Sequence, residues 1–412
     1  MTSPTSSTSS LEAHAEKHFT DTRCDAFLRA DKAFKQYLLD NEPVYAALHA
    51  VRLKGWDNTE GGDEYFKIRR ESADRAQSLQ HQRAHLSMMK NIGHDMQEKT
   101  GAFTPASVGE GETTKVLDLC MAPGGFTSVA LETNHDAAVD AISLPVRDGG
   151  PKILLPFGVK DSRVRVCFAD LTMFASEFGL EEAEVPADHP DFDLFNYSRP
   201  FEGNQYDLVI CDGQVLRTHV RGEHRNKREA TRLTNSELIL GLQRIKPGGT
   251  FVILLHKIES LDCVLLLREF GQFADVEIFK PHKTHSIRSS FYLVAKNVQP
   301  GSTAAGLALR RYKNLWKQTT LLEPIHGDGV TADENALMAV IDDFGDTLRD
   351  LGREVWRIQK DALEKAPFIS GDKDPAELRR NNEWTLVVSR GRAFRICTPR
   401  DVDLPQSPKV FP

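Results

Sequence analysis

Apolar positions along the chain change their spacing twice. From about 11 to 100 they recur at helical intervals within charged sequence, as in "DAFLRADKAFKQYLL", where Phe27, Phe34, Tyr37 and Leu38 share one face. From about 115 to 297 the texture becomes short apolar runs, among them "KVLDLC", "DAAVDAISL", "RVRVCFAD", "YDLVICD", "GTFVILL", "DVEIFK" and "SFYLVAK", set between turn residues and helical segments. That alternation predicts an α/β sandwich around a mainly parallel sheet. One helix between runs is marked at both ends: Thr234 and Glu237 have capping-box spacing, Leu238, Ile239, Leu242 and Ile245 follow, and "KPGG" at 246–249 closes it before "TFVILL". After about 300 the spacing is helical again. Leu337, Ile341, Phe344, Leu348, Leu351, Val355 and Ile358 alternate steps of four and three on one long helix, weakened at Gly345 and Gly352. The resulting division is a tail over 1–10, a helical N-terminal region over 11–79, an α/β domain over 80–299 and a mainly helical C-terminal region over 300–412, whose "WTLVVSRGRAFRICTP" reads as a hairpin.

Composition narrows the classes. With 40% hydrophobic and 27% charged residues the chain is an ordinary globular one, and its net charge of -7 means that any anionic partner must be met by a local basic patch. The six cysteines, at 24, 120, 167, 211, 263 and 397, form no CxxC pair, so reduced, mostly buried thiols are expected and no metal site. "MTSPTSSTSS" has neither a basic n-region nor an apolar h-region, and no apolar run approaches a membrane span. The default is a cytoplasmic or nuclear protein without a membrane partner.

The chemistry centres on "KVLDLCMAPGGFTSVALE", an apolar run, a Pro-Gly-Gly turn and a helix-like segment. In a doubly wound sheet the first strand-to-helix turn is where backbone approaches a cofactor, and Gly124 and Gly125 leave room for that approach. Neither GxxxxGK[ST] nor GxGxxG is present, which points away from a nucleotide triphosphate or dinucleotide and toward another adenosine-containing ligand. Three further runs end in polar residues: "FADLTMF" with Asp170, "YDLVICDGQV" with Asp212, and "FVILLHKIES" with Lys257. Taken singly, Asp170 is equally an exposed helix cap, and Lys257 is more readily a snorkelling lysine. A carboxylate at the carboxyl edge of a sheet, as at Asp212, is more often functional.

As a set these residues resemble the FtsJ-like family of RNA ribose 2'-O-methyltransferases, whose first motif reads like "DLCMAPGGF" here, with the mRNA cap 2'-O-methyltransferase branch closest in flavour. The resemblance covers about 80–297. It implies a Rossmann-like methyltransferase sandwich with helical extensions at both ends, and S-adenosyl-L-methionine held by Asp118, Ala122, Pro123, Gly124, Gly125, Phe126, Asp170 and Asp212. It also implies a Lys-Asp-Lys-Glu catalytic tetrad, falling on Lys90 in "AHLSMMKNIGHDM", Asp212 and Lys257, the last placed level with Asp212 on a neighbouring strand. At the fourth position, two residues before Tyr292 in "IFKPHKTHSIRSSFYLVAKN", Ser290 replaces the glutamate. A ribose hydroxyl is a poor nucleophile, so attack on a sulfonium methyl needs in-line positioning and help with the proton; a serine there can hydrogen-bond but supplies no charge. After the second strand, Ser143 and Leu144 stand where adenosine-binding sheets often carry an acid for the ribose hydroxyls, with Asp140 too early and Asp148 in the loop.

Directly after Asp212, "LRTHVRGEHRNKREATR" holds six Lys/Arg against two Glu, and Arg217, Arg221, Arg225, Lys227 and Arg228 are its candidate RNA contacts. Lys67, Arg69, Arg70, Arg75 and Arg83 extend the patch or simply face solvent. Three classes stay open: an RNA ribose methyltransferase, on capped mRNA if the branch likeness holds; a catalytically impaired relative that binds RNA or protein; and a small-molecule methyltransferase. Lys90, Asp212 and Lys257 favour the first, Ser290 the second.

Overall fold

The structure is a computed structural model that describes residues 25–57, 78–155, 161–216, 218–321, 334–366 and 369. Strands β1 (Lys115–Leu119), β2 (Ala138–Ser143), β3 (Val164–Phe168), β4 (Tyr206–Cys211), β5 (Ile245–His256), β6 (Asp275–Phe279) and β7 (Ser290–Val298) form one sheet in the order β3-β2-β1-β4-β5-β7-β6. All run parallel except β7, which enters antiparallel between β5 and β6. Strand order reverses at β1 and β4, so the chain leaving Leu119 and the chain leaving Cys211 open into one crevice.

The helices are α1 (Asp25–Asn41), α2 (Pro43–Asp57), α3 (Leu79–Thr100), α4 (Gly125–Thr133), α5 (Glu229–Arg244), α6 (Leu261–Phe270), α7 (Thr303–Thr320) and α8 (Glu334–Glu364). Strand alternation divides the core between the two faces. Leu117, Val209, Phe251 and Leu293 point to the face covered by α5, α6 and α7, while Val116, Leu208, Val252 and Val294 meet α3 and α4. The first of these clusters also takes in Phe34 and Leu38 of α1, Tyr45, Leu48 and Val51 of α2, and Leu348, Val355 and Trp356 of α8. The terminal helices therefore complete the core of the sheet domain instead of forming cores of their own.

The stripe expected along α8 is present, with Leu348, Val355 and Ile358 buried. The two glycines that weaken it have a packing reason: a Cβ on Gly352 would lie 2.5 Å from the ring of Trp356, and one on Gly345 would lie 2.9 Å from that of Tyr37. The helix placed from Thr234 onward begins earlier, at Glu229, with Thr234 inside it and no side-chain cap at Arg228. Its "KPGG" belongs to β5, where pairing with β4 shifts register between Tyr206 and Leu208. Four of the six cysteines are described, all as free thiols. No described helix is long and apolar enough to cross a membrane. The 1–10 tail and the 384–399 hairpin lie outside the described residues.

Candidate active site

At the carboxyl ends of β1 and β4 lies a cavity of roughly 300 Å³, lined by the glycine turn, Asp118, Asp170, Asp212 and Tyr292 among others. The turn is built tightly. Cys120 leaves β1 at φ 81°, the Ala122–Pro123 peptide is cis, and Gly124 sits at φ 106°, a left-handed conformation that costs glycine little. A Cβ on Gly125 would fall 2.3 Å from Cβ of Met89, so the first turn of α4 is pressed against α3. Ala122, Pro123, Gly125 and Phe126 line the cavity, and Gly124 supplies the bend.

Below the turn the buried Asp118 and Glu237 and the half-buried Asp212 lie close enough to disturb one another. The Thr127 hydroxyl donates to Asp118 at 2.5 Å, the Tyr292 hydroxyl to Asp212 at 3.2 Å, and the Gly213 N–H to Glu237 at 2.8 Å. Burial pushes the Asp118 carboxyl up to about 7 against the pull of Thr127. Burial and the neighbouring acids push Asp212 and Glu237 well above the carboxylate range. Among the described residues none of the three has a cationic side chain as its partner. Buried carboxyls so placed stay protonated or receive a positive charge from outside the chain. Glu237 escaped the sequence reading because its position relative to Thr234 looked like a helix cap.

Asp170 faces the same cavity from the end of β3. One of its oxygens accepts from the Thr172 N–H and hydroxyl, at 2.9 and 2.8 Å, and the other from the Arg225 guanidinium at 2.8 Å. Burial would raise its carboxyl, but Arg225 and Thr172 outweigh that and hold it below the usual range. It is an ionised acceptor fixed at the rim. Ser143 and Leu144 line the end of β2 without an acid. Asp140 is committed elsewhere, to Arg165 at 2.7 Å and to the Tyr206 hydroxyl at 2.7 Å.

Of the four tetrad positions, Lys257 and Ser290 are neighbours where β5 ends and β7 begins, His256 being paired with Ser290. Asp212 lines the cavity, whereas Lys90, Lys257 and Ser290 do not. Lys90 leaves α3 on the side of Glu132 and pairs with it at 2.6 Å. The β4–β5 register pairs Cys211 with Ile253, which sets Leu254 level with Asp212 and puts Lys257 three residues further along, not at that level. Lys257 is exposed at φ 53°, its backbone N–H bonded to the Ser289 carbonyl at 3.0 Å. Ser290 is 3% exposed, and its carbonyl accepts from Lys280 at 2.7 Å.

The basic segment also differs from the expectation. Arg225 is 4% exposed and ion-paired with Asp170 and Glu229, so it is an internal strut and not a phosphate contact. Arg221 is spent on its own loop, donating to Asn226 and to the Leu216 and His219 carbonyls. Lys227 is exposed and Arg228 half-buried near Gln318, while Arg217 lies outside the described residues, as do Lys67, Arg69, Arg70 and Arg75. Arg83 is exposed on α3.

Basic residues that the sequence reading did not assign also line the cavity. His85 of α3 lines it with His285 and Arg288 of the β6–β7 loop. The surrounding walls and Arg288 lower the His85 pKa, which places guanidinium and imidazole close together. The loop is pinned from behind. Lys280 is 3% exposed and donates to the carbonyls of His285, Arg288 and Ser290 at 2.9, 2.6 and 2.7 Å. Gln359 of α8 adds a bond to the Ile287 carbonyl at 3.2 Å and accepts from Arg52 of α2 at 2.8 Å. The run "KPHKTHSIR" carried this signal, since a lysine just after a core strand and two basic residues before the next are visible in sequence.

Residues 94–298 match the family model of the FtsJ-like methyltransferases. No curated protein matches the chain. Solved structures similar to it include a protein assigned as a ribosomal RNA methyltransferase from Plasmodium falciparum, at 17% identity over 50% of this chain and 93% of that one, with a TM-score of 0.31. Human methyltransferase-like protein 13 in complex with SAH is similar at 14% identity over 59% of this chain and 97% of that one, with a TM-score of 0.31. The sheet order, the glycine turn with its acids and the family match agree: residues 94–298 of this chain are an FtsJ-like methyltransferase domain.

Proposed function

We propose that the protein is an S-adenosyl-L-methionine-dependent methyltransferase acting on RNA at a ribose 2'-hydroxyl, with capped mRNA the first substrate to try. The observation that carries the cofactor is an acid floor, Asp118 and Asp212 lining the cavity beneath a glycine turn, with the buried Glu237 behind them, three acids that have no cationic side-chain partner among the described residues. A ligand bearing a sulfonium and an ammonium supplies the charge that such a floor lacks. Asp118, the Ala122 to Phe126 turn and Asp212 would hold its methionine part, and Asp170 would accept from the adenine amino group. Once bound, the cofactor supplies an electrophilic methyl. The chain's own part is to fix the acceptor in line and exclude water, with Asp212 and Tyr292 beside the transfer position and Arg288, His85, Lys227 and Arg228 toward the phosphates.

A second reading is a cofactor- and RNA-binding module without transfer. It is favoured by the Lys90–Glu132 pair, by Leu254 level with Asp212, and by the buried Ser290. One experiment separates the two: calorimetry with S-adenosyl-L-methionine, then transfer of a labelled methyl to capped and uncapped RNA with digestion to nucleosides. Label on a ribose supports the enzyme. Tight cofactor binding without transfer to either RNA supports the module, and failure to bind the cofactor removes both.

A further inference from the structure

The end of β2 carries no acid for the cofactor's ribose, yet two side chains lining the cavity have polar atoms left unmatched. Thr218 Oγ1 and His219 Nε2 are buried without a hydrogen-bond partner. Both residues line the same cavity as Ser143, Leu144 and Asp170. Buried polar atoms are nearly always paired, so two orphans side by side in a ligand cavity mark a missing partner.

Their position is fixed by packing. A Cβ on Gly149 would fall 2.3 Å from the Thr218 carbonyl, and the Val220 N–H donates to the Asp148 carbonyl at 3.0 Å. The loop after β4 is thereby laid on the loop after β2. On the other side, Asp170 and Glu229 act on His219 through their charge. Thr218 and His219 thus bridge the space from the end of β2 to the acceptor carboxylate at the end of β3.

The chemistry of the pair is also defined. His219 Nδ1 accepts from the Leu216 N–H at 3.4 Å, which leaves the proton of a neutral ring on Nε2. Burial and Arg221 lower the ring's pKa and keep it neutral against the acids nearby. Nε2–H is a donor, and Oγ1 of Thr218 both donates and accepts. A vicinal diol, with two oxygens that each donate and accept, matches them; a phosphate would leave the threonine proton as its only further donor and sit beside Asp170.

We propose that Thr218 and His219 bind the ribose 2'- and 3'-hydroxyls of the adenosyl cofactor, replacing the acid that other adenosine-binding sheets carry after β2. The assignment rests on the cofactor reading above. Its test uses binding alone. Adenosine, 2'-deoxyadenosine, 3'-deoxyadenosine and S-adenosyl-L-methionine are titrated calorimetrically into the full chain, wild type and the variants Thr218→Val and His219→Phe. In the wild type, loss of one hydroxyl should weaken adenosine about tenfold, in the range of one buried hydrogen bond. In the variant lacking the partner of that hydroxyl the penalty should vanish, while adenosine itself weakens. Unchanged melting temperatures show that the variants fold, and His219→Gln, which keeps an N–H donor, should recover part of the loss. Full discrimination between adenosine and its deoxy forms in both variants overturns the assignment. A wild type that binds S-adenosyl-L-methionine but does not distinguish the deoxy forms overturns it as well, and one that binds no adenosyl ligand overturns the cofactor reading beneath it.

Discussion

Asp118 shows how one side chain couples the site to pH. Its folded-state pKa, about 7, lies above the ordinary value of 3.8, so the free protein binds that proton more tightly folded than unfolded. The free protein should lose stability as pH rises from about 4 through 7, the reverse of an ion-paired aspartate. A cationic ligand changes the sign, because it favours the carboxylate and binding then expels a proton. Affinity for S-adenosyl-L-methionine should climb up to about tenfold per pH unit approaching 7 and level off above it, more shallowly in Asp118→Asn. Calorimetry in buffers of different ionisation enthalpy measures the proton directly. A pH-independent affinity with no proton released would sink this account of the floor.

Among elements, the β6–β7 loop shows what a buried lysine can organise. Burial, Arg288 and Arg52 push the Lys280 pKa down to about 7, yet three carbonyls converge on its three N–H donors, a set complete only in the ammonium form. Lys280→Met keeps the length and removes all three bonds, and each buried acceptor left unmatched costs about 1–3 kcal/mol. The expected outcome is a lower melting temperature with faster amide exchange concentrated in 281–290; exchange unchanged there would show that the strands alone hold the loop.

Elements of this kind also show where sequence was sufficient. The short apolar runs located the strands, and the glycine turn with its acid ends located the cleft, because alternation and turn chemistry are local properties. What escaped was relational. Arg225 and Arg232 looked like a solvated basic loop but are interior struts that reach Asp170 and Thr320, residues the fold sets opposite them. Lys257 looked level with Asp212 until strand register displaced it, and Lys90 stood on the expected helix with its side chain turned to Glu132.

On the scale of the molecule, the terminal helices and the sheet share one core. Tyr45 of α2 and Trp356 of α8 pack with ring centroids 5.2 Å apart, and Glu259, just after β5, receives Arg52 at 2.7 Å and the Trp356 indole at 3.3 Å. A chain ending at 321 would lose α8, strip the cover from Tyr45 and leave the buried Glu259 with one partner fewer. It should unfold or aggregate rather than yield a compact methyltransferase domain, and the full chain should melt in a single calorimetric transition. Two well-separated transitions, or a soluble cooperative fragment, would show that the extensions are independent.

The acid floor has one more consequence, for turnover. On the proposed reading, methyl transfer turns a sulfonium into a neutral thioether, and part of the charge that held the acids ionised disappears at the moment of reaction. Asp118 and Asp212, with Glu237 behind them, are then left with a ligand carrying one positive charge fewer, in surroundings where an uncompensated carboxylate is costly. They recover protons or repel one another, and in either case the spent cofactor is held less firmly than the fresh one. On that reading, the burial that favours a cation in the cleft would also favour exchange of product for fresh cofactor.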